Sequence, residues 1–244
     1  MASNYALITG GTKGIGFSVA QCLGKMGYNL LLTYLGDDPV CVQESCAYLH
    51  TTFNIQVTAL EADSADSKTI DVIYNHVQDS DIRLEVVVFN AGLTCRAGLE
   101  EVTPEDWERV FYANIHFPVF LLQRLLGKIS NGGCVIFTGS LMGIVPHALS
   151  LAYGVTKASV HALVKNLVKF LTPYHIRINA VAPGFVDTDW QKNKPVDIRK
   201  NIEGKIALGR FCEPDELAGV YRLLVENSYI NGEIIVADGG YSFK

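Results

Sequence analysis

A serine, a tyrosine and a lysine are the side chains in this sequence that are best placed for chemistry. Tyr153 and Lys157 are four residues apart in Leu151–Leu171, whose apolar spacing predicts a helix, so both would project from one helical face. Ser140 follows the apolar run Cys134–Phe137, which predicts a strand. Phenol and ammonium groups both transfer protons, and this spacing lets them meet one ligand together with the hydroxyl. We therefore treat Ser140, Tyr153 and Lys157 as candidate catalytic residues.

A glycine-rich turn near the amino terminus predicts a nucleotide-binding site. The run Thr9–Gly16 follows a predicted strand, Tyr5–Ile8, and leads directly into a predicted helix, Ile15–Met26. Glycine allows a tight turn and a close approach of pyrophosphate, and the helix amino terminus offers unpaired N–H groups. The spacing is G-x-x-x-G-x-G rather than G-x-G-x-x-G, and a turn without a ligand remains the alternative. The candidate cofactor-binding residues here are Gly10, Thr12, Lys13, Gly14, Ile15 and Gly16.

The residues after the second predicted strand bear on the choice between NADP and NAD. An acid at the end of that strand would bind a ribose 2′-hydroxyl and repel a 2′-phosphate, but the strand ends at Thr33-Tyr34. Lys13 could place a cation beside a 2′-phosphate; the alternative is that this lysine is only solvated. Asp37 and Asp38 lie near the position of a ribose-binding acid, but we place them in the loop that caps the next helix. The sequence therefore favours NADP(H) over NAD(H), with Tyr34 as a candidate contact.

Two further segments follow predicted strands where a cofactor would lie. Asp63 could meet an adenine amino group, or it could start the predicted helix Asp66–Asp79. The tripeptide after the apolar strand Leu84–Phe89 consists of small residues, which would let the backbone lie under a ribose. Its asparagine could bond to a neighbouring strand, and a plain strand-ending turn is the alternative. The candidate cofactor-binding residues in these segments are Asp63, Asn90, Ala91 and Gly92.

Short apolar runs alternate with amphipathic stretches along the whole chain. Several runs are apolar at successive positions, which is the pattern of strands covered on both faces. Their order predicts one α/β domain over residues 1–244: a doubly wound, Rossmann-type parallel sheet of about seven strands with helices on both faces. Residues 184–210 have weak strand character, and we interpret them as a substrate lid. The predicted strands are Tyr5–Ile8, Asn29–Thr33, Gln56–Leu60, Leu84–Phe89, Cys134–Phe137, Arg177–Val181 and Glu233–Val236, and the predicted helices are Ile15–Met26, Val40–Thr52, Asp66–Asp79, Pro104–Ile129, Leu151–Leu171 and Pro214–Val225.

The composition argues against several classes of protein. The 244 residues are 49% hydrophobic and 18% charged, enough to bury a substantial core. Lysine and arginine number 20 against 25 aspartates and glutamates, and this net charge of −5 argues against nucleic-acid binding. The six cysteines include no C-x-x-C pair, and neither a secretory signal nor a membrane span is visible. We therefore expect a cytoplasmic protein with no metal site.

The candidate residues belong to a longer series along the chain. In order, the series is the glycine turn, Asn90-Ala91-Gly92, Asn114, Ser140, Tyr153, Lys157 and Pro183-Gly184. In this order the chain resembles the short-chain dehydrogenase/reductase family over essentially its full length. Its carboxyl-terminal part is similar to 3-oxoacyl-(acyl-carrier-protein) reductases in particular, through Leu208–Pro214, Tyr229–Glu233 and Asp238-Gly239-Gly240. A glycine is usual in that group where Cys212 stands.

The resemblance implies a role for each residue. Tyr153 would give a proton to the oxygen of a ketone as hydride reaches its carbon. Lys157, as an ammonium, would lower the pKa of the phenol and bond the nicotinamide ribose. Ser140 would donate to the substrate oxygen, and Asn114 would hold a water that reloads the proton through the lysine. The residues that would cradle the nicotinamide are Pro183, Gly184, Val186 and Thr188.

The resemblance further implies NADPH-dependent reduction of a small or carrier-bound carbonyl substrate. It favours 3-oxoacyl thioesters, and with them a part in fatty acid biosynthesis. The positions at which that group shows docking arginines are Asn131 and Tyr174 in this chain. This departure leaves open an NADP-linked dehydrogenase of another small alcohol or sugar. A non-catalytic NADP(H)-binding regulator is the alternative of a different class.

Two predicted helices carry apolar residues beyond a single stripe. In Pro104–Ile129 these include Phe111, Ile115, Val119 and Leu122. The family pairs this helix and Leu151–Leu171 between subunits, which implies a homotetramer. Burial of these residues within one chain is the alternative.

Overall fold

Seven parallel strands form one sheet, and helices cover both of its faces. The computed structural model describes residues 4–146, 150–192 and 194–244, and over these ranges the predicted single α/β domain is confirmed. The strands are β1 (Asn4–Ile8), β2 (Asn29–Tyr34), β3 (Val57–Glu61), β4 (Arg83–Phe89), β5 (Ile129–Thr138), β6 (Arg177–Pro183) and β7 (Ile234–Ala237). The helices are α1 (Gly14–Lys25), α2 (Pro39–Phe53), α3 (Lys68–Asp79), α4 (Pro104–Phe111), α5 (Phe117–Leu125), α6 (Leu151–Leu171), α7 (Asp189–Lys192), α8 (Val196–Lys205) and α9 (Pro214–Glu226). The strand order across the sheet is β3-β2-β1-β4-β5-β6-β7.

Each face of the sheet has its own apolar core. Val86 packs in the core that includes residues of α1, α2 and α9, and the next residue, Val87, packs in the core that includes residues of α3, α5 and α6. Both valines are fully buried or nearly so. Because successive side chains of a strand point to opposite faces, a strand covered on both sides must be apolar at every position. This explains the uninterrupted apolar runs in the sequence.

The predicted helix Pro104–Ile129 is interrupted in the middle. A π-helical turn, Tyr112–His116, separates α4 from α5. Pro118 has no N–H to donate to the carbonyl of Asn114, four residues earlier, and its ring would clash with that carbonyl in an α-helix. The wider turn accommodates the proline. The prediction was also wrong at the carboxyl end, where Ile129 begins β5 instead of ending a helix.

Strand β5 begins five residues before the predicted position, Cys134. In the ladder with β4, Leu84 pairs with Ile129 and Val86 pairs with Cys134, so the register shifts between them. The extra residues of β5 include Asn131-Gly132-Gly133, which break the apolar run. A strand that starts with an irregular pairing therefore shows no strand pattern at its start.

The strand order reverses between β1 and β4, which are neighbours at the centre of the sheet. In doubly wound sheets the ligand crevice lies beyond the carboxyl ends of the strands at this point. The glycine turn follows β1 and Asn90 follows β4, while Ser140 follows β5 and Pro183 ends β6. The topology thus brings the candidate residues to one edge of the sheet.

Candidate active site

The glycine turn between β1 and α1 has room for a phosphate because side chains are excluded from it. Gly10 and Gly14 have φ angles of +63° and +55°, which disfavour residues with a side chain. A Cβ atom on Gly16 would lie 2.0 Å from the carbonyl oxygen of Gly10. Lys13, the residue before α1, makes no side-chain hydrogen bond to the helix amino terminus. The first N–H groups of α1 therefore have no side-chain cap and suit an anion.

Asn90 connects the end of β4 to the glycine turn. Its Nδ2 donates to the carbonyl oxygens of Thr9 at 3.1 Å and Gly10 at 3.0 Å, which is the bond to a neighbouring strand that the sequence allowed. The backbone N–H of Ala91 donates to Thr9 Oγ1 at 3.0 Å. On the other side, the N–H of Gly10 donates to Thr33 Oγ1 at 3.2 Å, a contact that the sequence analysis missed. The turn is thus held from both neighbouring strands.

The two aspartates after β2 have different partners. Asp38 caps α2, since its Oδ1 accepts from the N–H of Val40 at 2.8 Å, and here the predicted capping loop is confirmed. The Asp37 side chain instead bonds to the glycine turn, through Thr12 Oγ1 and Lys13 Nζ. Lys13 is therefore paired with an acid as well as partly exposed to solvent.

The two residues proposed for adenosine lie beside β2 and β3. Tyr34 is the last residue of β2 and is half-buried. Asp63 follows β3, and its Oδ1 accepts from the N–H of Ala65 at 2.8 Å. Since α3 begins only at Lys68, Asp63 caps the turn before the helix rather than the helix itself. Their contacts with adenosine remain predictions.

Tyr153 and Lys157 lie one turn apart on α6, and Lys157 Nζ is 5.5 Å from the centre of the Tyr153 ring. Ser140 lies within hydrogen-bonding reach of the phenol. The tripeptide after β4 passes close to the lysine, because a Cβ atom on Gly92 would lie 3.6 Å from Lys157 Nζ. The structure therefore brings the serine, the tyrosine and the lysine together, next to the segment held by the glycine turn.

Burial controls the proton affinities of the tyrosine and the lysine. Burial raises the pKa of the Tyr153 phenol, and the hydrogen bond with Ser140 opposes this shift. Burial also lowers the pKa of Lys157 to about 8. Lys157 Nζ donates to the carbonyl oxygen of Thr138 at 2.6 Å, and its effect on the pKa of the phenol remains a prediction. The phenol is thus held in its protonated, acidic form at neutral pH.

Asn114 lies in the π-helical turn and its side chain is fully partnered. Its Oδ1 accepts from the N–H of Leu93 at 2.8 Å, and its Nδ2 donates to the carbonyl oxygen of Leu93 and to Thr156 Oγ1, both at 2.9 Å. The side chain therefore joins the loop after β4 to α6. Because Pro118 offers no N–H to the Asn114 carbonyl, this backbone oxygen can accept from a water.

The loop that carries Ser140 packs tightly on α6. A Cβ atom on Gly143 would lie 2.6 Å from the carbonyl carbon of Lys157, and one on Gly139 would lie 2.4 Å from His161 Nε2. The N–H of Ser140 is 3.5 Å from the same His161 nitrogen. Burial, with the charge of Lys157, lowers the pKa of His161 to about 4, so the ring is neutral and can accept. The sequence analysis missed this histidine, although it is four residues beyond Lys157.

The predicted lid begins after β6 and contains α7 and α8. Thr188 lies against the glycine turn, since its Cγ2 is 3.4 Å from the place of a Cβ atom on Gly14. The Trp190 ring centre is 6.3 Å from that of Tyr153. Among the described residues of 184–210, the segment therefore spans from the candidate cofactor turn to the candidate acid.

The remaining nicotinamide candidates precede Thr188. Pro183 ends β6, and Gly184 lies so close to the residue after β7 that a Cβ atom on it would be 2.8 Å from Cα of Asp238. Val186 is buried and pairs with Cys212 in an isolated bridge. This packing explains the small and branched residues at these positions, and their contacts with nicotinamide remain predictions.

Two cations that the sequence analysis missed lie in the loop after β4 and in the lid. Arg96 is exposed and adjoins Ala97, whose carbonyl oxygen accepts from the N–H of Leu151 at the start of α6, at 3.3 Å. Burial and the charge of Arg96 lower the pKa of Lys194, so Arg96 lies within electrostatic range of this lysine. Within the described ranges neither forms a salt bridge. An anionic group on a ligand would relieve this repulsion.

The residues present fit a nicotinamide dinucleotide. The lack of side chains at Gly10 and Gly16 leaves space at the turn that a Cβ atom would fill. The amino terminus of α1, which has no side-chain cap, suits the pyrophosphate of the dinucleotide. In the part of the chain that is described, no group of three or more metal-binding side chains occurs. No helix there is long and apolar enough to cross a membrane.

Comparisons with known proteins agree with this geometry. A family model described as Enoyl-(Acyl carrier protein) reductase matches residues 10–242. The chain is 32% identical to a 3-oxoacyl-(acyl-carrier-protein) reductase of Aquifex aeolicus and 28% identical to a 3alpha-hydroxysteroid dehydrogenase of Mediterraneibacter gnavus. These alignments cover 98% of this chain in both cases, and 98% and 97% of the relatives.

A solved structure extends the comparison to three dimensions. It is a short-chain dehydrogenase from Burkholderia cenocepacia in complex with NADP, 27% identical to this chain, with a TM-score of 0.91. The alignment covers 99% of this chain and 98% of the other. The chain therefore belongs to the short-chain dehydrogenase/reductase family of oxidoreductases.

Proposed function

We propose that the protein reduces a ketone to an alcohol with NADPH, and that its substrates are 3-oxoacyl thioesters. The observation that carries the proposal is the contact between the two halves of the site. Gly92, in the segment anchored to the glycine turn by Asn90, adjoins the ammonium of Lys157, one helical turn from Tyr153. A cofactor held by the turn would therefore lie beside the proton donor.

Each catalytic side chain has a distinct task. When bound, the reduced nicotinamide supplies hydride to the carbonyl carbon. Tyr153 gives its phenolic proton to the carbonyl oxygen, and its raised pKa keeps that proton available at neutral pH. Ser140 donates to the same oxygen as negative charge develops there. Lys157 then returns a proton to the tyrosine, from a water held by the backbone carbonyl of Asn114.

The cofactor preference for NADPH rests on charge. No acid ends β2, where Thr33 and Tyr34 stand, so nothing on that strand end repels a 2′-phosphate. Lys13 supplies a cation at the glycine turn, where it is paired with Asp37. Gly184, Val186 and the lid would hold the nicotinamide ring.

The thioester substrate is favoured by two cations, Arg96 in the loop after β4 and Lys194 in the lid, and by the first relative described above. Arg96 and Lys194 suit the phosphate groups of a phosphopantetheine arm, whether it belongs to coenzyme A or to a carrier protein. The steroid-active relative favours the second candidate, a dehydrogenase of another alcohol. The assembled serine, tyrosine and lysine argue against the third candidate, a binding protein without turnover.

The proposed assembly is a homotetramer built on α5 and α6. Phe120 on α5 is 48% exposed and Phe170 on α6 is 71% exposed, and such side chains favour burial against another subunit. Light scattering at micromolar concentration tests the assembly, and a monomer contradicts it. The cytoplasmic location and the absence of a nucleic-acid partner remain predictions.

The decisive experiment is the oxidation of NADPH against a panel of substrates, with NADH in parallel. The panel contains acetoacetyl-CoA, crotonyl-CoA, simple ketones, a sugar and a 3-oxosteroid. We expect the highest kcat/KM with acetoacetyl-CoA and NADPH. Preferred turnover of crotonyl-CoA would identify an enoyl reductase, and preferred turnover of the steroid or the sugar would favour the second candidate. Tight NADPH binding without any turnover would favour the non-catalytic alternative.

A further inference from the structure

The loop after β2 turns back onto the glycine turn. Gly36 has a φ of +65°, a conformation that reverses the chain and that residues with a side chain rarely adopt. The next residue, Asp37, points its carboxylate at the turn. Its Oδ2 accepts from Thr12 Oγ1 at 2.5 Å, and its Oδ1 accepts from Lys13 Nζ. Both carboxylate oxygens are therefore bound to the segment that precedes α1.

The burial of this ion pair is one-sided. The Asp37 side chain is 7% exposed, whereas the Lys13 side chain is 63% exposed. The carboxylate is thus enclosed between the loop and the turn, and Thr12 is itself buried. A shielded anion bound by a hydroxyl and an ammonium is more strongly held than a surface pair, because fewer waters compete.

The partners of Asp37 are the groups that a 2′-phosphate needs. A phosphate monoester is bound by hydroxyl and ammonium donors. Thr12 and Lys13 are such donors, and they stand at the start of α1. A carboxylate is the nearest chemical equivalent of a phosphate among side chains, since both are oxyanions that accept several hydrogen bonds.

We propose that Asp37 is an internal anion that occupies the 2′-phosphate position and thereby limits the preference for NADPH over NADH. NADPH binds only when the Asp37 carboxylate leaves Thr12 and Lys13, whereas NADH binds with the carboxylate in place. Like charges at one site repel, so the phosphate and the carboxylate exclude each other. This inference rests on the nicotinamide cofactor of the proposed function.

The test measures dissociation constants of NADPH and NADH by fluorescence titration of the purified protein, with no carbonyl substrate present. We expect Asp37→Asn to tighten NADPH binding about tenfold and to leave NADH binding within about twofold, because removing one of two like charges relieves repulsion. Asp37→Ala should act in the same direction. Asp38→Asn is the matched control. It removes the same charge one residue further along the chain, and Asp38 caps α2 instead of contacting the glycine turn.

A double-mutant cycle with Lys13→Met gives a second readout. The loss of NADPH affinity on removing the lysine should be larger in the Asp37→Asn background, where Lys13 is free for the phosphate, than in the wild-type background. Additive effects, an unchanged ratio of the two affinities, or weaker NADH binding in Asp37→Asn would each overturn the inference. The last result would make Asp37 a ligand of the ribose hydroxyls. These outcomes are separate from the substrate panel, which alone decides whether a carbonyl is reduced.

Discussion

Lys157 donates a hydrogen bond of 2.6 Å to the backbone carbonyl oxygen of Thr138, the last residue of β5. The lysine is 5% exposed, and no carboxylate partner forms a salt bridge with it among the described residues. The Thr138 hydroxyl in turn lies 2.7 Å from the hydroxyl of Tyr221 on α9 and 3.3 Å from Asn90 Oδ1. The ammonium is thus positioned by neutral groups. No opposite charge among the described residues offsets the free-energy cost of burying its charge.

This burial predicts a pH-dependent stability. The pKa of Lys157 is about 8 in the folded protein and 10.5 in an unfolded chain, so between these values the unfolded chain binds more protons. The free energy of unfolding of the wild type should therefore rise from pH 8 to pH 10.5, relative to Lys157→Met, by on the order of 3 kcal/mol. Urea unfolding at a series of pH values measures this difference. Lys165→Met removes an exposed lysine from the same helix, and its free energy of unfolding should change with pH as that of the wild type does. If the free energy of unfolding of Lys157→Met also changes with pH as in the wild type, the prediction is contradicted.

Tyr153→Phe should remove the proton donor and leave the fold intact. The Tyr153 hydroxyl makes a hydrogen bond with Ser140, which phenylalanine cannot make. The Tyr153 ring packs near Trp190, and phenylalanine preserves this packing. We expect kcat to fall by about 10²–10⁴-fold, the usual contribution of a general acid, with an unchanged dissociation constant for NADPH. Steady-state kinetics and fluorescence titration measure the two quantities. Tyr174→Phe, at a partly exposed tyrosine, is the control, and turnover retained in Tyr153→Phe would refute the role of the phenol.

Most of the fold could be predicted because the strands are covered on both faces. The apolar run in β4 has a residue in each core, and that pattern is visible without any coordinates. The π-helical turn could have been predicted from Pro118, since a proline inside a long helical pattern signals an interruption. The start of β5 could not have been predicted, because Asn131-Gly132-Gly133 are paired irregularly and show no strand pattern in the sequence.

The site was predictable where function requires a fixed residue type at a fixed spacing, and less so where it depends on contacts between distant segments. Ser140, Tyr153 and Lys157 were predicted in this way as candidate catalytic residues, and the structure brings them together. The contact of Asp37 with the glycine turn depends on how a loop reverses, which local propensity does not determine. The electrostatic effect of Arg96 on Lys194 joins residues about one hundred positions apart, and no local sequence pattern predicts it.

Gly16→Ala should disrupt the glycine turn. The added methyl group would lie 2.0 Å from the Gly10 carbonyl oxygen and 2.7 Å from Asn90 Nδ2, so the turn must open. We expect a loss of about 1–3 kcal/mol in the free energy of unfolding and at least tenfold weaker NADPH binding. Gly219→Ala in α9 is the same chemical change in open space, and it should stabilise the protein by about 0.5–1 kcal/mol. Equal effects of the two substitutions on NADPH binding would show that the turn is not a cofactor cradle.

Arg96→Gln and Lys194→Gln should weaken the binding of phosphate-bearing substrates selectively. The charge of Arg96 lowers the pKa of Lys194, so the two cations are within electrostatic range, and we expect a substrate phosphate to pair with both. For acetoacetyl-CoA we expect each substitution to raise KM about tenfold with little change in kcat, since the contact is distant from the reacting carbonyl. The acetoacetyl thioester of N-acetylcysteamine has the same reacting group without any phosphate, and its KM should stay unchanged. Lys192→Gln is the matched control because Lys192 pairs with Asp189. If the KM values of both thioesters rise equally, the two cations shape the crevice and do not bind phosphate.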